Sequence, residues 1–238
     1  MTAPIDSWFL KYIKHYRETE LFYSSYGSFM HELLAGFYNG ELTRDDMLQT
    51  FLLEFNNKVE GERPRSSTVQ QYICKGANYL RSFKPIDAKI LGVEQEVRYK
   101  IKGIPFVGYI DIVAEDDNGI FIVDHKSKEL AGRSKRKKPT AADVEFDEML
   151  KQLYLYAEAI HQNYGKRPYK LCFNCFRSGT MVEEPYDQKA CDAAIKWAFD
   201  SIEQIKNADN FHPNLEYFVC RNICGLHDDC CYYEMQAV

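Results

Sequence analysis

No run of eighteen apolar residues occurs in this 238-residue chain, so no membrane-spanning helix is expected. Positive charge is not in excess: 30 Lys and Arg stand against 35 Asp and Glu, a net charge of −5. That balance excludes a globally basic, histone-like surface but leaves local nucleic-acid binding open. The first residues, Met1 to Asp6, carry no basic stretch followed by an apolar one, so no secretory leader is expected. There is no internal repeat and no low-complexity tract. These absences point to a cytoplasmic chain in a reducing compartment. A chain of this length buries about 70% of its unfolded surface, so it needs no disulfides. The eight cysteines are therefore many. In that compartment clustered cysteines read as metal ligands or buried thiols.

Residues 5–90 read as helical. Trp8, Leu10, Ile13 and Tyr16 are spaced as one helix face. Met30, Leu33, Leu34 and Phe37 form a second such face, and Met47, Phe51, Leu52 and Phe55 a third. A fourth helix is expected over Gln70–Phe83, ended by Lys84-Pro85. From residue 91 the pattern changes to alternation. Val93, Gln95, Val97, Tyr99 and Ile101 fall on one side of a strand, and Glu94, Glu96, Arg98 and Lys100 on the other. After a turn at Gly103-Ile104-Pro105, Phe106–Ala114 reads as a second strand. Asp116-Asp117-Asn118-Gly119 is a hairpin signal, and Ile120–Lys126 reads as a third strand. Residues 127–145 read as a loop, Asp147–Tyr164 as a helix, Tyr169–Phe176 and Met181–Tyr186 as strands, and Asp187–Asn207 as a helix. The order predicts an α/β protein with a central mixed sheet flanked by helices.

The chemistry lies on the hairpin. Asp124 and Lys126 are two apart on a strand and share a face. A turn over residues 116–119 sets Asp111 opposite Asp124; a turn of Asn118-Gly119 alone sets it opposite Lys126. Either register brings the three side chains to one face. Two facing carboxylates repel, and burial adds a desolvation cost. A divalent cation such as Mg²⁺ removes both penalties and activates water. The bland reading is a solvated Asp–Lys pair. Ile122 and Val123 argue against it, because a strand apolar on both faces is a buried one.

Gly108-x-x-Asp111, a hairpin, Asp124-x-Lys126 and then Gln152-x-x-x-Tyr156 on the next helix resemble the PD-(D/E)XK nuclease superfamily. Within it the chain is most similar to the RecB-like branch, which includes the AddB-like and CRISPR-associated RecB-like exonucleases. The resemblance implies a restriction-endonuclease-like core. It implies that Asp111 and Asp124 ligate Mg²⁺ or Mn²⁺, with the His125 backbone carbonyl and the His31 side chain completing the shell. It makes Lys126 the catalytic lysine and gives Gln152 and Tyr156 supporting roles toward phosphate or Lys126. An acidic residue on the first strand faces the site in relatives; Glu94 and Glu96 both fit. The His125 imidazole points to the other face and reads as packing.

Arg133-Ser134-Lys135-Arg136-Lys137-Lys138 carries five positive charges in six residues. Beside a metal site, Lys135, Arg136, Lys137 and Lys138 could hold a nucleic-acid backbone. Toward the end, Cys220, Cys224, Cys230 and Cys231 are dense in a polar segment and read as a metal site. The resemblance implies a [4Fe-4S] cluster, but no Cys precedes His31, so the fourth ligand falls to Cys231, Cys74 or Cys191. Zinc is the rival, with His227 or Cys231 as fourth ligand. Cys172 and Cys175 lie on opposite faces of a strand and read as core.

One nuclease domain over residues 1–238 is expected: a helical region at 1–90, a catalytic core at 91–210 and a Cys-rich closure at 211–238. The expected activity is metal-dependent hydrolysis of DNA phosphodiesters, as an exonuclease on single strands or ends. A recombination or helicase partner, and a bacterial or phage-infected cell, fit the resemblance. The different-class alternative is a nucleic-acid-binding or assembly subunit of a recombination or CRISPR-adaptation system, active only with partners.

Overall fold

A computed structural model describes residues 8–208 and 217–230. Its helices are α1 (Phe22–Tyr38), α2 (Arg44–Lys58), α3 (Ser66–Ser82), α4 (Ala141–Tyr164), α5 (Gln188–Lys206) and the short α6 (Tyr217–Asn222). The strands are β1 (Lys89–Ile101), β2 (Ile104–Asp116), β3 (Gly119–Lys126), β4 (Lys170–Cys175) and β5 (Thr180–Pro185). They form one mixed sheet in the order β1-β2-β3-β4-β5. Only β3 and β4 run parallel, joined across α4. This is the α/β arrangement with a mixed central sheet that the order of elements predicts.

Three apolar clusters hold the layers. One lies between the sheet and α4 and α5, around Ile122, Phe146, Leu153 and Phe173. A second joins α1, α2 and α3 through Tyr26, Phe29, Phe51 and Phe55. The third, Ile112, Ala114, Phe121 and Val123, lines the opposite face of β2 and β3. Cys172 and Cys175 are buried in different clusters, on opposite faces as expected.

Local signals set the boundaries. Thr43 and Asp46 cap α2 reciprocally, and Thr140 and Asp143 do the same for α4. The second cap starts α4 at Ala141, six residues before the Asp147 that its apolar period predicts. Asp143 also receives the Ser134 N–H and hydroxyl, which ties the preceding loop to the helix. Lys102 and Gly103, at φ of +49° and +83°, make the β1–β2 turn, so the turn precedes the predicted Gly103-Ile104-Pro105.

Two expectations on the early helices fail. Trp8 to Tyr16 forms only a short π-helical turn, Phe9–Ile13, without a buried residue. Leu52 is half exposed on α2, because Phe51 and Phe55 turn that helix inward.

The helical layer packs closely at Gly76 on α3. A Cβ there would lie 2.5 Å from the Phe51 ring and 3.0 Å from the Tyr26 hydroxyl. Both neighbours are fully buried and cannot swing away. Gly76→Ala is expected to destabilise the protein by about 1–3 kcal/mol. Thermal unfolding should read this as a lowered Tm, and an unchanged or raised Tm would contradict the packing argument.

Candidate metal centre

The β2–β3 register follows from the turn. Glu115 pairs with Ile120 and Ile112 with Val123, which carries Asp111 opposite Asp124. Of the two registers the sequence allows, the first is the one adopted. Both carboxylates are buried, with 8% and 6% of their surface exposed. The His125 N–H donates to Asp111 Oδ2 at 2.5 Å. Asp124 Oδ2 accepts no aligned hydrogen bond, and its close partner is the Lys126 ammonium at 2.8 Å.

His31 arrives from α1. Its Nδ1 lies 3.5 Å from Glu94 Oε1 and 3.6 Å from Asp111 Oδ1. Its Nε2 lies 3.0 Å from the His125 carbonyl oxygen. With Nε2 protonated, the ring donates to that carbonyl and turns the Nδ1 lone pair toward the two carboxylates. The carbonyl that the resemblance made a ligand here also sets the imidazole's tautomer.

Glu94, not Glu96, belongs to the site. The alternation read from the sequence breaks at this residue. Val93 packs with Ile112 on one face, while Val97 and Tyr99 pack with Ile110 on the other. Glu94 sits at the break with φ of +45°, a left-handed conformation costly for a side chain with a Cβ. Glu96 instead pairs with Arg98 and accepts from the Tyr109 hydroxyl. Periodicity alone carries no signal for such a break.

Ligand atoms of His31, Glu94 and Asp111 all lie within 4.8 Å of one another. Among the described residues this is the one such group of three or more His, Cys, Asp or Glu side chains. Two carboxylates and an imidazole suit Mn²⁺ or Mg²⁺, and the nitrogen favours the former. The electrostatics favour a cation as well. Burial, and then the Asp124 charge, push the Asp111 carboxyl up to about 7, against the pull of His31 and the His125 N–H. Burial raises Asp124 too, opposed by Lys126. Burial works against a charge on His31, but Glu94, Asp111 and Asp124 outweigh it and raise its pKa.

Lys126, Gln152 and Tyr156 form a line on the α4 side. Lys126 Nζ is 3.5 Å from Gln152 Oε1, and Gln152 Nε2 donates to the Tyr156 hydroxyl at 2.9 Å. Gly108 belongs to the same unit. A Cβ on it would stand 2.5 Å from Tyr156 Cε1, so a side chain here would displace the ring. A cavity of about 590 Å³ opens over the site between α1 and the end of β3, lined by Tyr23, Gly27, His31, Glu94 and Lys126 among others.

The His125 imidazole points away and is buried. Its Nδ1 meets Asn174 Nδ2 at 3.0 Å, and Asn174 donates to the Tyr79 hydroxyl. Burial, helped by His31 and Lys126, pushes its pKa down to about 3, so this ring is neutral. It packs, as the sequence predicts.

The basic loop is used unevenly. Arg133 is bound to Glu184 of β5 and Asp147 of α4 and lies over the Phe146 ring. Lys135, Arg136, Lys137 and Lys138 are exposed. Among the described residues Cys220, Cys224, Cys230 and His227 do not gather at zinc distances. His227 meets the Cys224 carbonyl and Asp228 instead. Cys231 lies outside the described residues. Cys191 is buried against the Tyr154 carbonyl, and Cys74 is exposed on α3 beside Gln70.

The sequence pattern of the PD-(D/E)XK nuclease superfamily matches residues 6–231. The chain belongs to this superfamily. Its members use divalent metals to hydrolyse nucleic-acid phosphodiesters, and the carboxylates and imidazole above are side chains of the kind that hold such an ion. Comparison with curated proteins gives no match. A solved structure from Eubacterium rectale, provisionally described as an exonuclease, is similar at 13% identity and a TM-score of 0.48, over 97% of this chain and 80% of that one. Among the described residues no helix is long and apolar enough to cross a membrane.

Because the Asp111 carboxyl is raised, the metal-free fold gains its proton below about pH 7 and loses stability as pH rises through that value. A cation competes with that proton and with the one on His31. Mn²⁺ should therefore raise Tm by several degrees at pH 8 and far less at pH 5.5. Asp111→Asn should raise the metal-free Tm at pH 8 and abolish the Mn²⁺ shift. An equal Mn²⁺ shift at both pH values would contradict the electrostatic account.

Proposed function

We propose that the chain is a metal-dependent deoxyribonuclease of RecB-like type, acting as an exonuclease on DNA ends or single strands. The observation that carries this reading is the convergence of His31, Glu94 and Asp111 beside the buried Asp124–Lys126 pair. A degenerate binding subunit has no need to keep two repelling carboxylates buried.

In this reading His31, Glu94, Asp111 and Asp124 hold Mn²⁺ or Mg²⁺. An ion bound there would supply polarisation of a phosphoryl oxygen and a water made nucleophilic at neutral pH. The chain's own residues do the rest. The His125 carbonyl orients His31. Asp124 anchors the Lys126 ammonium, and Gln152, held by Tyr156, borders it from the other side. Lys126 thus presents a fixed positive charge to a phosphate that gains negative charge in the transition state. Gly108 leaves room for Tyr156 and so supports Lys126 at one remove. The exposed Lys135 to Lys138 add sequence-independent attraction for the backbone.

End-labelled linear DNA, single- and double-stranded, should be degraded with Mg²⁺ or Mn²⁺ and remain intact in EDTA. Covalently closed circles should survive. Asp124→Ala and Lys126→Ala should each lower the rate by about 100-fold or more. Cleavage by Asp124→Ala at the wild-type rate would sink the catalytic assignment, and cleavage of circles would sink the exonuclease one.

Gly108→Ala should lower kcat by a smaller factor while the Mn²⁺-dependent Tm shift persists, because Tyr156 is displaced and the metal donors are not. Unchanged kcat in Gly108→Ala would remove Tyr156 from the account.

A further inference from the structure

The β1–β2 hairpin outruns its neighbours. β2 pairs with β3 only from Ile112 onward, while it pairs with β1 down to the turn at Ile101 and Ile104. Residues 95–110 therefore form a two-stranded ribbon that leaves the sheet at the metal centre. One face is covered: Val97, Tyr99 and Ile110 pack on Tyr156 and Ile160 of α4, and Phe106 meets Phe199 of α5. The other face carries Glu96, Arg98, Lys100, Val107 and Tyr109, all exposed. Val107 and Tyr109 are 58% and 56% exposed, among the most exposed large apolar side chains described.

The ribbon starts at the site. Glu96 follows Glu94 by two positions and Tyr109 precedes Asp111 by two, about 7 Å along a strand. Glu96 and Tyr109 are directly paired across the strands, and the Tyr109 hydroxyl donates to Glu96 Oε2 at 3.1 Å. The bond lays the ring along the exposed face of the ribbon. Arg98 neutralises the Glu96 carboxylate, so the next unbalanced charge along the ribbon is Lys100. An aromatic plane beside an aliphatic side chain, with the Lys100 cation beyond it and the candidate metal site at its foot, fits one class of occupant. It suits the bases and backbone of a single nucleic-acid strand.

We propose that this ribbon face is a stacking platform for the single strand that enters or leaves the metal centre, with Tyr109 holding a base close to the scissile phosphate. The proposal rests on the nuclease reading for the identity of the strand, but its contacts do not use the metal ligands. Tyr109 is a positioning residue in this account. It binds a base and leaves the reacting atoms to others.

The test is fluorescence anisotropy of a labelled single-stranded oligonucleotide, and of its abasic twin, with the full chain in EDTA. Tyr109→Ala should weaken binding of the base-bearing strand by about ten-fold, the size of one lost stack. It should leave the abasic strand unaffected, and Tyr109→Phe should bind like wild type. In Mg²⁺ the same Ala variant should raise KM and keep kcat. An equal loss on both strands, no loss on either, or no single-strand binding by wild type would overturn the proposal. If the binding pattern holds but no DNA is cleaved in any metal, the nuclease reading fails and the platform stands. If DNA is cleaved and Tyr109→Ala binds as wild type does, the platform fails alone.

Discussion

Two carboxylates placed side by side in a sheet interior are the constraint on which the rest of this structure depends. Asp111 and Asp124 face each other across β2 and β3, both nearly buried, on strands whose neighbouring residues are apolar. Left alone, such a pair costs stability through desolvation and mutual repulsion. The fold retains it and surrounds it with compensations. A backbone N–H serves Asp111, an ammonium serves Asp124, and an imidazole and a third carboxylate stand across from Asp111. None of these fully offsets burial and repulsion, which together hold the Asp111 carboxyl above its ordinary range. A divalent cation is a partner that suits this charge pattern.

The two helical layers then have distinct tasks. The α1 layer supplies His31 and one wall of the cavity, and its small residues at Ser24, Gly27 and Ser28 keep that wall open. The α4 layer supplies Gln152 and Tyr156, which reach the lysine from the far side. Because α1 is set by an aromatic cluster with α2 and α3, and α4 by the sheet core, donor and lysine are positioned by separate packing. A change in one layer should disturb metal holding or charge presentation, but not both. The buried His125 ties the sheet to the layer of α1 and α3. Its carbonyl meets His31, and its ring is locked by Asn174 and Tyr79 beneath the site.

Much of this was legible in the residues. The Asp-Asp-Asn-Gly turn and the apolar strands around it specify the hairpin, and the hairpin specifies that Asp111, Asp124 and Lys126 converge. The spacing of Gln152 and Tyr156 places them on one helix face, and the structure adds why a glycine stands at 108. What escaped the sequence has physical reasons. Glu94 and Glu96 have the same parity, and only a left-handed residue that breaks the strand's alternation separates them. The aromatic spacing of Trp8 to Tyr16 suits a helix, yet none of those residues is buried among the described residues. The start of α4 was hidden because a capping box, not an apolar period, begins it. Arg133 reads as one of a basic run, but the acidic pair it meets comes from distant β5 and α4.

In the proposed reading the buried carboxylates are kept for a cation held by His31, Glu94, Asp111 and Asp124. Anomalous diffraction from crystals soaked in Mn²⁺ tests it most directly. A single strong peak within bonding distance of His31 Nδ1 and of carboxylate oxygens of Glu94 and Asp111 is the predicted result. A site without density, or manganese bound elsewhere while these three side chains stay as they are, would contradict it.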